Sequence, residues 1–421
     1  METRKITVMG LGYIGLPTAS LLATKGFDVH GVDVRPEVVE TINDGRIHIT
    51  EPDLDLLVRA AVQSGKLNAD TEPQAADIFI LAVPTPFKDG HVPDLTYVEA
   101  ATRSIAPHVL AGNLVILEST SPVGTTEMVG DWIANERPDL EKGAFFVAHC
   151  PERVLPGQII RELVDNDRIV GGVDDASTES AAAFYRNFVA GEVLTTDART
   201  AELAKLTENT FRDVNIALAN ELSLVCDQLS VNVWELIKLA NHHPRVSILK
   251  PGPGVGGHCI AVDPWFIVDS APEQTRLIRT AREVNDTKPS YVVERVRQRA
   301  DRFKNPVVAC LGLSYKADID DLRESPALSI TATLADAGIG EILIVEPNIT
   351  EIPEGLKVNG ARLVDLPDAL AIADIVVGLV DHREFVRLSY SDLSEKIVID
   401  ARGMWQGHRT SNLQRRVEKV V

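Results

Sequence analysis

Cysteine is scarce in this 421-residue chain: four residues, at positions 150, 226, 259 and 310. They are too few and too dispersed for a disulfide scaffold, and no CxxC or Cys/His spacing reads as a metal site. No run of 18 apolar residues occurs, so no segment is expected to span a membrane. The first residues enter a short apolar run without a cleavage-site pattern, so no signal peptide is read and a cytoplasmic location is expected. Positive charge is also short: 42 basic against 61 acidic residues give −19. That balance disfavours nucleic acid or an anionic membrane as partner, while leaving room for local phosphate pockets. Lysine supplies only 14 of the 42 basic residues. A salt-adapted surface and an ordinary acidic enzyme both fit this composition. Repeats and low-complexity tracts are absent. With 45% hydrophobic and 24% charged residues, the chain reads as globular, long enough for two or three domains.

Along the first 190 residues, apolar strand-like runs alternate with helical ones. KITVMG (5–10), FDVHGVD (27–33), DIFILAV (77–83), LVILEST (114–120) and FFVAHC (145–150) read as strands buried on both faces of a parallel sheet. Between them, residues 16–25, 95–108 and 125–135 read as helices. From about residue 195 the pattern turns helical: 196–230, 233–241, and 273–303, with Pro289 expected to break or kink the last. Strand-like runs return at 306–314, 341–347, 374–380 and 396–400, and Ser325 before Pro326 reads as a helix cap. The fold class is α/β: two doubly wound domains, 1–192 and 305–421, joined by a helical central domain, 193–304.

The first strand runs into Gly10-Leu11-Gly12-Tyr13-Ile14-Gly15, a GxGxxG in its required strand-to-helix context. Gly10 permits the tight turn, Gly12 lets a pyrophosphate approach, and Gly15 allows close packing. Asp33 ends the second strand. Its carboxylate suits an adenosine ribose and repels a 2′-phosphate, so the cofactor is read as NAD. Thr85, Thr120 and Thr126 follow later strand ends, where ligands bind; helix capping is the other reading of each.

Lys205, Asn209 and Arg212 fall within about 60° of one another on a helix, with Leu203, Leu206 and Val214 facing away. They form either a site or a solvated face. Four glycines, 252, 254, 256 and 257, lead into His258-Cys259, with Asp263 four residues on. Glycines let backbone touch a ligand, and a thiol there is either a nucleophile or a buried structural group. Glu152 and Arg153 follow another strand end as a candidate acid/base and a candidate ligand contact. Asn241-His242-His243-Pro244-Arg245 offers groups for phosphate or sugar, or helix-end caps. Lys316 and Arg323 can meet anions or sit in surface ion pairs.

Together GLGYIGLP, VPTPF, ESTSPVGTTE, CPERVLPG, AELAKLTENTFRDVNIALANEL, HHPRVSILKPGPGVGGHCIAVDPWF and DDLRESPA resemble the UDP-glucose/GDP-mannose 6-dehydrogenase family over nearly the whole chain. The resemblance implies a Rossmann domain for NAD, a Rossmann-like domain that helps bind UDP, and a homodimer built on the helical middle. It implies four-electron oxidation of a UDP-sugar at C6. Cys259 would add to the C6 aldehyde, the thiohemiacetal would be oxidised to a thioester, and water would release the acid. Lys205 and Asn209 would bind the C6 oxygen, Asp263 would partner the lysine and a catalytic water, and Glu152 would assist hydrolysis. Arg153, Val154, Arg212, His243, Arg245, Gly256, Tyr315, Lys316 and Arg402 match substrate-side positions. Tyr13, Ile14, Asp33, Thr85, Thr126 and Arg323 match cofactor-side positions. The resemblance through residues 241–266 implies UDP-N-acetyl-D-mannosamine as substrate. UDP-N-acetylglucosamine, UDP-glucose, and a non-catalytic NAD-binding regulator are the alternatives.

Overall fold

The computed structural model describes residues 4–141, 143–155, 157–257, 259–357, 360–405 and 417–418. His258 lies outside them. The chain divides into two compact units, Met1–Glu208 with Trp265–Pro272, and Asn209–Pro264 with Glu273–Val421.

The first unit is built on ten strands: β1 (Lys5–Met9), β2 (Asp28–Val32), β3 (Leu67–Asp70), β4 (Ile78–Leu81), β5 (Phe87–Lys88), β6 (Val92–Pro93), β7 (Leu114–Leu117), β8 (Phe146–His149), β9 (Arg168–Gly172) and β10 (Val193–Asp197). Eight form one sheet in the order β10-β9-β8-β7-β4-β1-β2-β3, and β5 and β6 make a separate hairpin. Pairing in the large sheet is parallel except between β8 and β9. The expected strands are present, trimmed where they turn into loops. Edge strand β3 escaped the apolar-run criterion because its residues alternate buried and exposed. Apolar clusters, one around Val8 and Ile80 and another around Phe79 and Val115, cover the sheet.

Helices α1 (Gly15–Thr24), α2 (Pro36–Asn43), α3 (Leu54–Gln63), α4 (Thr96–Ile105), α5 (Thr125–Glu136), α6 (Ile159–Asp165) and α7 (Asp175–Tyr185) connect these strands. Register sets the functional edge. Met9 pairs with Val32 and Leu81, Leu81 with Leu117, and Leu117 with His149. The residues that follow these five therefore emerge along one carboxyl edge, where ligands bind in open α/β sheets.

The middle of the chain is helical, as expected: α8 (Ala198–Gln228), α9 (Val233–Ala240), α10 (Asp263–Ser270) and α11 (Arg276–Ala300). The expected break at Pro289 does not occur, since α11 runs through it. Asn285, one turn earlier, is buried and donates to the Asp213 carboxylate at 2.8 Å. Such packing offsets the proline cost of about 3 kcal/mol. Leu206 is buried, but Leu203, expected on the same apolar side, is exposed.

The second unit carries β11 (Val307–Leu311), β12 (Glu341–Val345), β13 (Arg362–Leu363), β14 (Ile375–Gly378), β15 (Ile397–Asp400) and β16 (Val417–Glu418). They form a parallel sheet in the order β13-β12-β11-β14-β15-β16. Ser325 caps α12 (Pro326–Asp336) as the sequence indicates, accepting from the Leu328 amide at 3.3 Å. Among the described residues no helix is long and apolar enough to cross a membrane.

Candidate functional site

The turn after β1 has no space for side chains at two of its glycines. Gly10 has φ +88°, and a Cβ there would lie 2.6 Å from the Ala82 carbonyl oxygen. A Cβ on Gly15 would fall 1.7 Å from the Gly10 oxygen. At Gly12 a Cβ would meet nothing within 4 Å, so that face of the backbone is open. Ile14 precedes α1 without a side-chain cap, although the Leu16 amide donates back to the Gly12 carbonyl at 3.1 Å; the helix start keeps its partial positive charge for an anion. Tyr13 is partly exposed beside this turn. Asp33 is buried; it accepts from the Leu11 amide at 3.2 Å, and from the Arg35 amide and Nε at 3.1 Å. An open glycine face, a helix N-terminus and a carboxylate beside them fit a dinucleotide: pyrophosphate on the turn, ribose at Asp33.

The loops after β4 and β7 are tied together. Thr85 donates to the Thr120 carbonyl at 2.6 Å, and Ser119 to the Val83 carbonyl at 2.7 Å. Thr126 is committed elsewhere. It is fully buried, and both its hydroxyl and its amide donate to Glu202, at 2.6 and 2.7 Å.

Glu152 is buried, with Arg168 Nη1 donating to one oxygen at 2.7 Å and the Arg153 amide to the other at 2.6 Å. Arg153 itself pairs with Glu208 at 2.7 Å, and Val154 packs on the apolar cluster around Val8. Tyr185 donates to Glu118 at 2.7 Å. Burial, then the Glu152 charge, pushes the Glu118 carboxyl up to about 7. His149 is fully buried, and burial, with a smaller effect of Lys205, takes its imidazole down to about 3. Lys205 is half-buried.

In the second unit, buried Asn209 donates to buried Asp263 at 2.5 Å. Asp263 begins α10, and its amide donates to the Cys259 carbonyl at 2.9 Å. Cys259 is exposed, whereas Cys150, Cys226 and Cys310 are buried. The glycine loop packs closely. A Cβ on Gly252 would lie 2.9 Å from Arg402 Nη1, one on Gly256 2.4 Å from the Glu324 carbonyl, and one on Gly257 2.9 Å from the Tyr315 ring. Arg402 pairs with Asp381 at 2.8 Å.

Thus the first unit gathers Gly10, Gly12, Tyr13, Ile14, Gly15, Asp33, Thr85, Thr120 and Glu152 at strand ends. The second joins Asn209, Cys259 and Asp263, and sets Gly256 by Tyr315. Arg212, His243, Arg245 and Lys316 are exposed. The His243 ring accepts from the Arg245 amide at 3.3 Å, tightening the turn after α9. Arg323 is paired with Asp321 at 2.6 Å. Sequence reasoning missed Arg168, Glu202 and Asn220, whose side chain accepts from the Gly252 amide at 2.9 Å. A charged residue heading the strand Arg168–Gly172 was the one available signal.

Profiles of the UDP-glucose/GDP-mannose dehydrogenase family match residues 4–189 (NAD binding domain), 199–287 (central domain) and 309–407 (UDP binding domain). The NDP-N-acetyl-D-galactosaminuronic acid dehydrogenase of Ralstonia nicotianae is 60% identical, covering 97% of this chain and 98% of its own. The UDP-N-acetyl-D-mannosamine dehydrogenase of Campylobacter jejuni is 56% identical, covering 94% and 99%. A solved structure of UDP-D-ManNAc dehydrogenase from Pyrococcus horikoshii superposes with a TM-score of 0.87 at 41% identity, covering 95% and 96%. With all three segments matched in order, the chain belongs to the UDP-glucose/GDP-mannose dehydrogenase family and is an NAD-dependent UDP-sugar dehydrogenase.

Proposed function

We propose that this enzyme oxidises UDP-N-acetyl-D-mannosamine at C6 to the uronate through a covalent intermediate on Cys259. The observation that carries the reading is the buried Asn209–Asp263 hydrogen bond at the head of α10, one turn beyond the exposed thiol. NAD, when bound, accepts the hydride released at each of two oxidations. Lys205 and Asn209, one turn apart on α8, present an ammonium and an amide to the C6 oxygen as its proton leaves. The Cys259 sulfur then bonds to the aldehyde carbon, giving a thiohemiacetal. Loss of the second hydride and the hydroxyl proton gives a thioester. Water adds to that carbon, the C–S bond breaks, and the thiol is regenerated with the free acid.

Glu152 assists the attacking water. Each of its oxygens accepts one protein hydrogen bond and retains a lone pair for water. Asp263 orients Asn209, and its role as partner of Lys205 and water belongs to the same reading. Gly10, Gly12, Tyr13, Ile14, Gly15, Asp33, Thr85 and Thr120 serve the cofactor, with Arg323. Thr126 belongs to that group only indirectly, since Glu202 takes its hydroxyl. Arg153, Val154, Arg212, His243, Arg245, Gly256, Tyr315, Lys316 and Arg402 serve the UDP-sugar. The functional segments are 1–192, 193–304 and 305–421. A homodimer is part of the proposal. On α8, Phe211, Leu218 and Val225 are exposed at seven-residue spacing, followed by exposed Leu229, a stripe suited to a second copy.

A second reading has a specific basis: the relative at 60% identity is named for the galacto-configured product. Turnover with the UDP-N-acetyl derivatives of mannosamine, galactosamine and glucosamine, and with UDP-glucose, decides among them. The expected result is fastest turnover of the manno substrate, with two NADH per sugar acid. Faster galactosamine turnover selects the second reading. Acid production at near wild-type rate by Cys259→Ala removes the covalent mechanism.

A further inference from the structure

Glu202 lies in the AELAKLTEN segment, three residues before Lys205, and the chemistry above assigns it nothing. It is fully buried. A buried carboxylate is costly unless hydrogen-bonded. Its partners are 76 and 78 residues away: one oxygen accepts from the Thr126 amide at 2.7 Å and hydroxyl at 2.6 Å, and the other from the Gly124 amide at 2.6 Å. Gly124 is the N-cap of α5, has φ 99°, and offers no side chain to cap it. Glu202 therefore supplies from α8 the cap that α5 lacks, and its negative charge meets the positive end of that helix. Burial pushes this carboxyl above its ordinary range; the three donors oppose that shift.

We propose that Glu202 is a positioning residue that fixes the rotation of α8, and with it Lys205, against the loop from Glu118 to Gly124. Residues three apart share a helix face, so a slip that frees Glu202 also redirects Lys205. The same loop carries Thr120, whose carbonyl holds Thr85. One carboxylate thus ties the lysine's helix to the cofactor-side loops. A second link joins the same helices: Arg199 pairs with Glu127 at 2.6 Å, with both side chains well exposed. Exposed pairs contribute little, so this link serves as an internal control. The inference rests on the role proposed for Lys205.

The experiment compares Glu202→Gln, Glu202→Ala, Thr126→Val, Arg199→Ala and Lys205→Ala in the full chain, with folding followed by circular dichroism. Glu202→Gln keeps the shape but turns an amide NH2 toward a donor. It is expected to lower kcat at least tenfold with KM for the UDP-sugar within about threefold, the scale of a small misplacement in a site. Glu202→Ala should fall further and regain activity saturably with added formate, because the α5 amides are left to bind a small carboxylate. Thr126→Val, the milder change should the others fold poorly, should lie between, and Arg199→Ala within twofold of wild type. Folded Glu202→Gln within twofold of wild type, or folded Glu202→Ala with no formate response, overturns the inference. If Lys205→Ala keeps its activity, the reading of the site fails instead, whatever Glu202 shows.

Discussion

The two sheets contain the same first turn, built to different ends. After β1, Gly10 has φ 88° and its amide donates to the Val32 carbonyl at 2.8 Å. After β11, Gly312 has φ 96° and its amide donates to the Val345 carbonyl, also at 2.8 Å. In each, the next residue's amide reaches a carboxylate at the end of the neighbouring strand: Leu11 to Asp33 at 3.2 Å, Leu313 to Glu346 at 2.8 Å. There the likeness stops. Position Gly12 corresponds to Ser314, whose hydroxyl turns inward to the Lys316 carbonyl at 2.7 Å. Glu346 also accepts from the Ser314 amide, from Asn348 twice and from His382. The Asp318 amide donates to His382 Nδ1, which leaves Nε2 as the protonated nitrogen facing Glu346. The second acid is saturated by its own domain. Topology supplies the turn; the residues two and three past the strand decide whether its backbone is open to a dinucleotide pyrophosphate.

Five substitutions break or sharpen this contrast. The largest effect belongs to Gly15→Ala. With no room at the Gly10 oxygen, it should cost about 3–5 kcal/mol and abolish NAD binding, read by thermal melting and calorimetry. Glu346→Gln comes next, with an expected loss of about 2 kcal/mol at neutral pH and unchanged NAD affinity. Burial works to raise the Glu346 carboxyl, but the bond from His382 and several backbone amides prevail, and its pKa lies below the ordinary value. An acid with a lowered folded-state pKa contributes stability above its unfolded value and loses it as pH falls through the folded one. The gap in melting temperature between wild type and variant should therefore close on acidification. A constant gap contradicts the assignment.

Gly12→Ala should leave stability within about 0.5 kcal/mol, since nothing crowds that face, yet weaken NAD at least tenfold, about 1.4 kcal/mol. Ser314→Ala, at the matching position, should leave NAD affinity unchanged. Equal effects of the two would erase the comparison. The smallest change in overall behaviour is expected from Asp33→Asn. Arg35 now pairs with Asp33 at 3.1 Å. Freed of that carboxylate, it can meet a 2′-phosphate, and the ratio of kcat/KM for NADP over NAD should rise at least tenfold. An unchanged ratio would place cofactor choice elsewhere.

The sequence was most readable where local rules act. Apolar runs marked β1, β2, β4, β7 and β8 because strands buried on both faces carry little else. The GxGxxG turn was legible because glycine's conformational freedom is encoded at the residue itself. Ser325 and Pro326 announced α12 for a similar reason. Pro289 does not break α11 because its cost is local while the contacts that offset it, Asn285 to Asp213, span 72 residues. Partners 76, 32 and 16 residues away likewise hid Glu202, Asn220 and Arg168. Spacing along a chain says which residues share a helix face, and nothing about what that face meets. Motif resemblance points to Lys205 and Cys259 as candidates without indicating the side chains around them.

The burial of three thiols gives the protein a gauge of its own condition. Burial pushes both Cys150 and Cys310 up to about 12, and Cys226 is likewise shielded within α8. Thiolates are the species that react with disulfide reagents. Native protein should therefore take up one equivalent of a chromogenic disulfide per chain quickly, at Cys259, and the remaining three only as the chain opens. The fast equivalent counts folded chains in a preparation, and the slow ones time its unfolding, from a single absorbance trace and without a label.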